Sequence, residues 1–259
     1  MSREDRPQNL GATLGRPFPP ALTGLTIYAI GDIHGRADLL EDLYRKIDAD
    51  KLASQPERVA EIYLGDYIDR GNDPAAVVER LVRRSGEVNS VFLRGNHEQL
   101  LLDFVAGEQC LDAWKAVGAI PTLLSYGVPP RLLTETPGPE EVRRAFSERL
   151  PREHHQFFSL TGAYCESGHY LFVHAGIRPG VALEFQARED ILGIRDEFLK
   201  FDGDFGWIVI HGHTPVTEPE FKANRINIDT GAYATHRLTC LRIGEHGTSL
   251  IASPFSPTQ

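Results

Sequence analysis

Five short polar motifs recur in fixed order along this chain, each directly after an apolar, β-prone run. They read Gly31-Asp32-Ile33-His34-Gly35, Gly65-Asp66-Tyr67-Ile68-Asp69-Arg70-Gly71, Arg94-Gly95-Asn96-His97-Glu98, His174-Ala175-Gly176 and His211-Gly212-His213-Thr214. The apolar runs before them are Leu25 to Ile30, Glu61 to Leu64, Val88 to Leu93, Tyr170 to Val173 and Trp207 to Ile210. After the first motif, Leu39, Leu40, Leu43 and Ile47 recur at helical spacing over Ala37 to Asp48. After the second, Pro74 to Arg84 reads as a helix with proline in its first turn. Strands alternating with helices predict an α/β fold with a largely parallel sheet, whose ligand sites gather in loops at the carboxyl ends of the strands. Every motif falls in such a loop.

The rest of the chain fits around that frame. Residues 1–24 are rich in proline, glycine and charge without periodicity and read as a flexible leader. Residues 25–255 read as a single catalytic domain. Within it, residues 103–162 break the rhythm, with helical stretches near Asp112 to Val117 and Glu140 to Leu150 around the proline-rich Val128 to Pro139, so they read as a small helical insertion that could cap the site. Further on, Arg225 to Ile228 and Leu238 to Ile243 are short β-rich runs, and Phe185 to Leu199 is the one helical stretch between strands.

Composition excludes several classes. The chain has 259 residues, 41% hydrophobic and 24% charged, which is enough for a full core. A net charge of −9 with no basic run argues against a nucleic-acid polymer or an anionic membrane as partner. No apolar run is long enough for a signal or a membrane span, so the expected location is cytoplasmic. The three cysteines, Cys110, Cys165 and Cys240, form no CxxC pair, which argues against thiolate ligation and predicts core positions.

A single Asp-x-His at a strand end is more often a turn with a capping aspartate and a solvated imidazole than a metal site. Five such loops together point to metal-assisted hydrolysis of a phosphoester, in which two metal ions supply a nucleophile and neutralise phosphoryl oxygens. The candidate ligands are Asp32, His34, Asp66, Asn96, His174 and His213, with His211 competing with the last. This mixture of carboxylate, amide and imidazole suits Mn, Fe or Zn, with Mn placed first. Asp66, central in the order of loops, is the natural bridge. His97 follows a ligand too closely to turn toward the same ion, which leaves it free to act as a general acid with Asp69 orienting it; a turn cap or a partner for Arg70 is the other reading of Asp69. Arg70 and Arg94 adjoin metal loops and offer bidentate forks to phosphate.

In this order the motifs GDxHG, GDxxDRG, GNHE, HAG and GHT resemble the signature of the PPP-type serine/threonine protein phosphatases, within the calcineurin-like metallophosphoesterases. The resemblance spans about Ile27 to Tyr233, and Gly212 to Pro215 with Ile228 to Ala232 is similar to the bacterial and phage branch. It implies a layered α/β/β/α sandwich holding two divalent metals, one on Asp32, His34 and Asp66, the other on Asp66, Asn96, His174 and His213. It selects His213 over His211, pairs His97 with Asp69, and gives Arg70 and Arg94 phosphate contacts. A third phosphate arginine falls on Arg195, with Arg188 the weaker choice, although Gly193 stands where that branch has an aromatic residue. Tyr233 reads either as a neighbour of the site or as a buried tyrosine.

The implied reaction is direct attack on phosphorus by a hydroxide held between the metals, without a covalent phosphoenzyme. The expected substrate is a phosphorylated protein or peptide, or a small phosphoester. Symmetrical diadenosine tetraphosphate hydrolysis is the alternative within the superfamily, and a catalytically silent phosphate-binding scaffold is the alternative outside it. His154, His155, His169, His236 and His246 lie outside any ligand pattern, and Trp114 and Trp207 read as packing residues.

Overall fold

The structure is a computed structural model, and it describes residues 22–108, 110–134 and 138–253. Residues 1–21 of the expected leader lie outside the described residues.

The chain opens with β1 (Leu25–Ile30), α1 (Ala37–Ser54), β2 (Arg58–Tyr63), α2 (Pro74–Ser85), β3 (Ser90–Phe92) and α3 (Asn96–Ala106). Five helices follow: α4 (Leu111–Val117), α5 (Ile120–Ser125), α6 (Arg131–Thr134), α7 (Pro139–Ser147) and α8 (Arg152–Leu160). Next come β4 (Tyr164–Ser167), β5 (Tyr170–Val173), α9 (Arg188–Gly193), α10 (Asp196–Leu199), β6 (Ile208–His211), β7 (Glu220–Phe221) and β8 (Arg225–Asn227). The described chain closes with α11 (Ala232–Thr235), β9 (Thr239–Gly244) and β10 (Gly247–Ala252).

Two five-stranded sheets result, ordered β10-β9-β1-β2-β3 and β4-β5-β6-β8-β7. In the first, β1, β2 and β3 run parallel and the β9–β10 hairpin adds antiparallel beside β1. In the second, β5, β6 and β8 run parallel, with β4 and β7 antiparallel at the edges.

Alternation along the strands builds the layers. On β1, Ile27 and Ala29 join Ile62, Leu64, Phe172, Ile210 and Ile226 in a core between the two sheets. Tyr28 and Ile30 face the other way, onto Leu40, Leu43, Val78 and Leu81 of α1 and α2. Leu171, Val173 and Val209 of the second sheet pack in turn on Ile191, Ile194 and Phe198. Successive side chains of a strand point to opposite faces, so each sheet is buried on both sides. The mixed α/β sandwich expected from the sequence is therefore the fold observed.

Two expectations change. Phe185 to Leu199 is not one helix but α9 and α10 separated at Ile194, whose ψ of 142° is extended. Of the three cysteines, only Cys240 is fully buried; Cys110 and Cys165 are partly exposed. Among the described residues, no helix is long and apolar enough to cross a membrane.

Candidate metal centre

The carboxyl ends of β1, β2 and β3 meet those of β5, β6 and β8, and the polar motifs converge there. The first two loops are tied together: the amides of Ile33 and His34 donate to the Asp66 carbonyl, and Gly35 N donates to Tyr67 O. Buried Glu98, at the third residue of α3, accepts from the amides of Asp66 and Tyr67 at 2.8 Å and of Gly95 at 2.9 Å. One carboxylate thus fixes the second loop against the third. His34, Asp66, Asp69, Arg70 and His213 all adopt positive φ, between 45° and 70°, a conformation that non-glycine residues seldom take outside well-supported sites.

Asp66 is the hub. Its Oδ1 lies 3.5 Å from His174 Nε2 and its Oδ2 lies 3.5 Å from His34 Nε2, so its two oxygens serve different neighbours. The His174 Nδ1 lies 2.9 Å from the Leu64 carbonyl, which only accepts, so Nδ1 carries the proton and Nε2 presents a lone pair. That lone pair faces Asn96 Oδ1 at 3.1 Å as well as Asp66. His34 repeats the pattern, with Nδ1 2.9 Å from Ile68 O. Electron-pair donors that converge without protons between them suit a cation. Imidazole, carboxylate and amide oxygen together suit a borderline divalent metal.

The groups close enough to share an ion are His34, Asp66 and His97 on one side and Asp66, His174 and His213 on the other, both containing Asp66. His97 stands in the first set where the sequence reading has Asp32. Asp32 is also buried, and accepts from the His213 backbone amide at 3.1 Å. His211 is held elsewhere, with its ring against Phe198 and its Nε2 3.3 Å from Arg225.

His97 Nδ1 lies 2.6 Å from Asp69 Oδ2, and its Nε2 lies 3.1 Å from Arg70 Nη2. The other Arg70 nitrogen, Nη1, is 3.0 Å from His34 Nε2, and the guanidinium sits 4.9 Å from the centre of the Tyr233 ring. Tyr233 is 38% exposed and borders the site rather than being buried. The exposed Arg195 donates from Nη1 to Thr214 Oγ1 at 3.3 Å, beside His213. A Cβ at Gly193 would meet nothing within 4 Å. Arg188 is exposed and pairs with Glu189 at 3.8 Å.

Arg94 differs from its expectation. Its nitrogens donate to Thr161 Oγ1, Gln99 Oε1 and the carbonyls of Phe158, Ser159 and Thr161, at the end of α8. None of these bonds reaches the cluster, because the last turn of α8 has free carbonyls that a guanidinium satisfies well.

Burial sets the electrostatics. It pushes the His34 and His213 rings down to about 3, and His174 down as well, so all three are neutral and able to ligate near pH 7. At His97 burial also opposes charge, but the Asp66 and Asp69 carboxylates outweigh it and raise the pKa. Burial raises Asp32 well above the carboxylate range, helped by Asp229 and Asp66. Asp229, raised to about 6 by burial and then by Asp66, is a site residue that the sequence reading left unassigned; the Ile228-Asp-Thr-Gly turn was its signal.

Comparison with known proteins agrees with this architecture: residues 25–244 match the family model of the calcineurin-like phosphoesterases. The chain belongs to that family. Among calcineurin-like phosphoesterases it is similar to the bis(5′-nucleosyl)-tetraphosphatase PrpE [asymmetrical] of Oceanobacillus iheyensis, 29% identical over 89% of this chain and 94% of the relative. It is also similar to the protein of the same name from Bacillus thuringiensis, at 28% over 88% and 95%. A crystal structure of a provisionally assigned diadenosine tetraphosphatase shares the fold at TM-score 0.58 and 19% identity, over 92% of this chain and 97% of that one. A serine/threonine phosphatase from Saccharomyces cerevisiae shares it at 0.52 and 13%, over 91% and 82%. Family membership makes the chain a metal-dependent phosphoester hydrolase.

Proposed function

We propose that this chain hydrolyses bis(5′-nucleosyl) tetraphosphates, cutting them unequally into a nucleoside monophosphate and a triphosphate. The observation that carries the phosphohydrolase part is Asp66, one buried carboxylate shared by two sets of ligand atoms. The choice of substrate leans on the two relatives, which match over nearly their full length and are named for that reaction. The sequence alone left this as the alternative, in its symmetrical form; the word asymmetrical in those names favours unequal products. A cavity of about 350 Å³, lined in part by Arg94, Tyr164, Leu183, Ile191 and Leu192, adjoins the third loop and has room for one nucleoside.

The proposed ligands are Asp32, His34 and Asp66 for one divalent metal and Asp66, Asn96, His174 and His213 for the other, with Mn placed ahead of Fe and Zn. When bound, such a pair polarises phosphoryl oxygens and lowers the pKa of water. Arg70 and Arg195 hold the phosphate chain by its oxygens. Asp69 accepts a hydrogen bond from the Nδ1–H of His97, which leaves Nε2 to deliver a proton to the bridging oxygen as its bond to phosphorus breaks. The three depressed histidines stay neutral, so they present lone pairs rather than added charge.

The deciding experiment compares kcat/KM for a dinucleoside tetraphosphate and a phosphopeptide after metal stripping and separate reloading with Mn, Fe or Zn, with products separated by ion exchange. Monophosphate plus triphosphate, at a clearly higher kcat/KM than the phosphopeptide, is expected. Two diphosphates would overturn the unequal cut. A preference for the phosphopeptide would restore the protein-phosphatase reading, and no turnover with two metals bound would leave a silent scaffold.

A further inference from the structure

Asp69 is fully buried, and three donors converge on its carboxylate. Oδ2 accepts from His97 Nδ1 at 2.6 Å and from Trp114 Nε1 at 2.8 Å. Oδ1 accepts a short bond from Thr122 Oγ1, and that hydroxyl oxygen accepts in turn from the Asp69 amide at 2.9 Å. Trp114 sits in the middle of α4 and Thr122 in α5, so both come from the helical segment that reads in the sequence as a cap. The same segment grips the next residue: Arg70 N donates to Gly118 O at 3.1 Å and Arg70 Nε to Val117 O at 3.2 Å. Gly118, at φ +117°, lets the chains approach this closely, since a Cβ there would lie 2.8 Å from Arg70 Cγ.

We infer that Trp114 and Thr122 are positioning residues for His97, acting through the carboxylate of Asp69. The inference rests on the reading of His97 as general acid. A carboxylate bonded only to an imidazole can rotate about its last torsion, and the ring swings with it. Donors on both oxygens fix the plane of Asp69, hence the direction of the Nδ1–H bond, hence the aim of Nε2. Both donors are neutral, so they hold the anion without cancelling the charge that favours protonated His97. Arg70, the obvious cationic partner for Asp69, instead directs its guanidinium to Val117, His34 and His97, on the side of the proposed phosphate site. Trp114 is itself immobile: its ring is fully buried, with centroids 5.4 Å from Phe104 and 5.8 Å from Phe146, and its sole polar atom meets Asp69. The α4–α5 segment is thus a wedge behind the acid pair.

The test compares Trp114→Phe, Thr122→Val and Thr122→Ser with wild type and with His97→Asn, across phosphomonoesters whose leaving groups run from dinitrophenol to a simple alcohol. Thr122→Val and Trp114→Phe should lower kcat for the alcohol esters by roughly 10- to 100-fold, while dinitrophenyl phosphate, KM and Mn content barely change. Thr122→Ser should recover the loss. Equal losses for all leaving groups, a loss confined to KM, or no rescue by serine would overturn the inference. If His97→Asn itself shows no leaving-group dependence, the acid reading fails; if only His97→Asn shows it, the positioning role alone fails. If Thr122→Val does not fold, Trp114→Phe carries the comparison. If neither folds, the contacts are purely structural and the inference is wrong.

Discussion

Asp32 and Asp229, buried carboxylates from the two different sheets, flank Gly212 so closely that a Cβ there would collide with the Asp32 oxygen and lie 3.6 Å from the Asp229 Cβ. Burial raises both pKa values in the metal-free protein, helped at Asp32 by Asp229 and Asp66 and at Asp229 by Asp66. For Asp229 the shift runs from the ordinary 3.8 to about 6, so between these values the folded state binds the proton more tightly than the unfolded state, and its contribution to stability falls as pH rises. Metal-free Asp229→Asn, which keeps an oxygen for the Gly231 amide, should therefore gain on wild type between pH 4 and 7, by on the order of 2–3 kcal/mol. Urea melts across that range check it. A pH-independent difference between the two proteins would dismiss the raised Asp229 pKa.

Asp66 supplies one oxygen to each ligand set. Titration of the stripped chain with Mn should give two ions, and at 100 times Kd a bound ion adds about 2.7 kcal/mol to stability. Asp66→Asn should weaken both sites by more than about 100-fold, beyond what loss of a supporting residue costs. A variant that loses one ion and keeps the other at full affinity would show that Asp66 is not the bridge.

His97 carries a raised pKa, lifted against burial by Asp66 and Asp69. As the acid it must be protonated, so activity should fall as pH rises through that value. Asp69→Asn removes one of the lifting charges, and the alkaline limb of the kcat/KM profile should move to lower pH. A limb that stays in place would belong to another group.

The two arginines Arg94 and Arg195 should separate cleanly. Arg195→Ala, which removes an exposed cation beside Thr214, should lower kcat/KM by about 10- to 100-fold with little change in melting. Arg94→Ala, which releases the carbonyls at the end of α8, should cost about 1–3 kcal/mol of stability and less activity. The reverse pattern would return Arg94 to the phosphate.

The order of the motifs made the strand ends legible, because a glycine-marked polar loop after an apolar run has few other meanings in an α/β chain. Local sequence was silent on direction. Nothing around Arg94 says that its guanidinium turns to α8, since the acceptors lie 64 to 67 residues away. Trp114 looked like packing and does pack, but its indole nitrogen finds Asp69 across 45 residues, and Thr122 does so across 53. The break between α9 and α10 had a local cue in Gly193, a poor residue for a helix interior. Asp229 was visible as part of a turn, but its raised pKa depends on burial and on Asp66, which another sheet delivers.

Of the seven non-glycine residues with positive φ among the described residues, five lie in the site's loops. Such backbone survives only where its neighbours insist on it, here through Glu98, the linked first two loops and the α4–α5 segment. An engineer who wished to move this chemistry to another scaffold could not graft the ligand side chains alone. The transferable unit is the loops together with their braces.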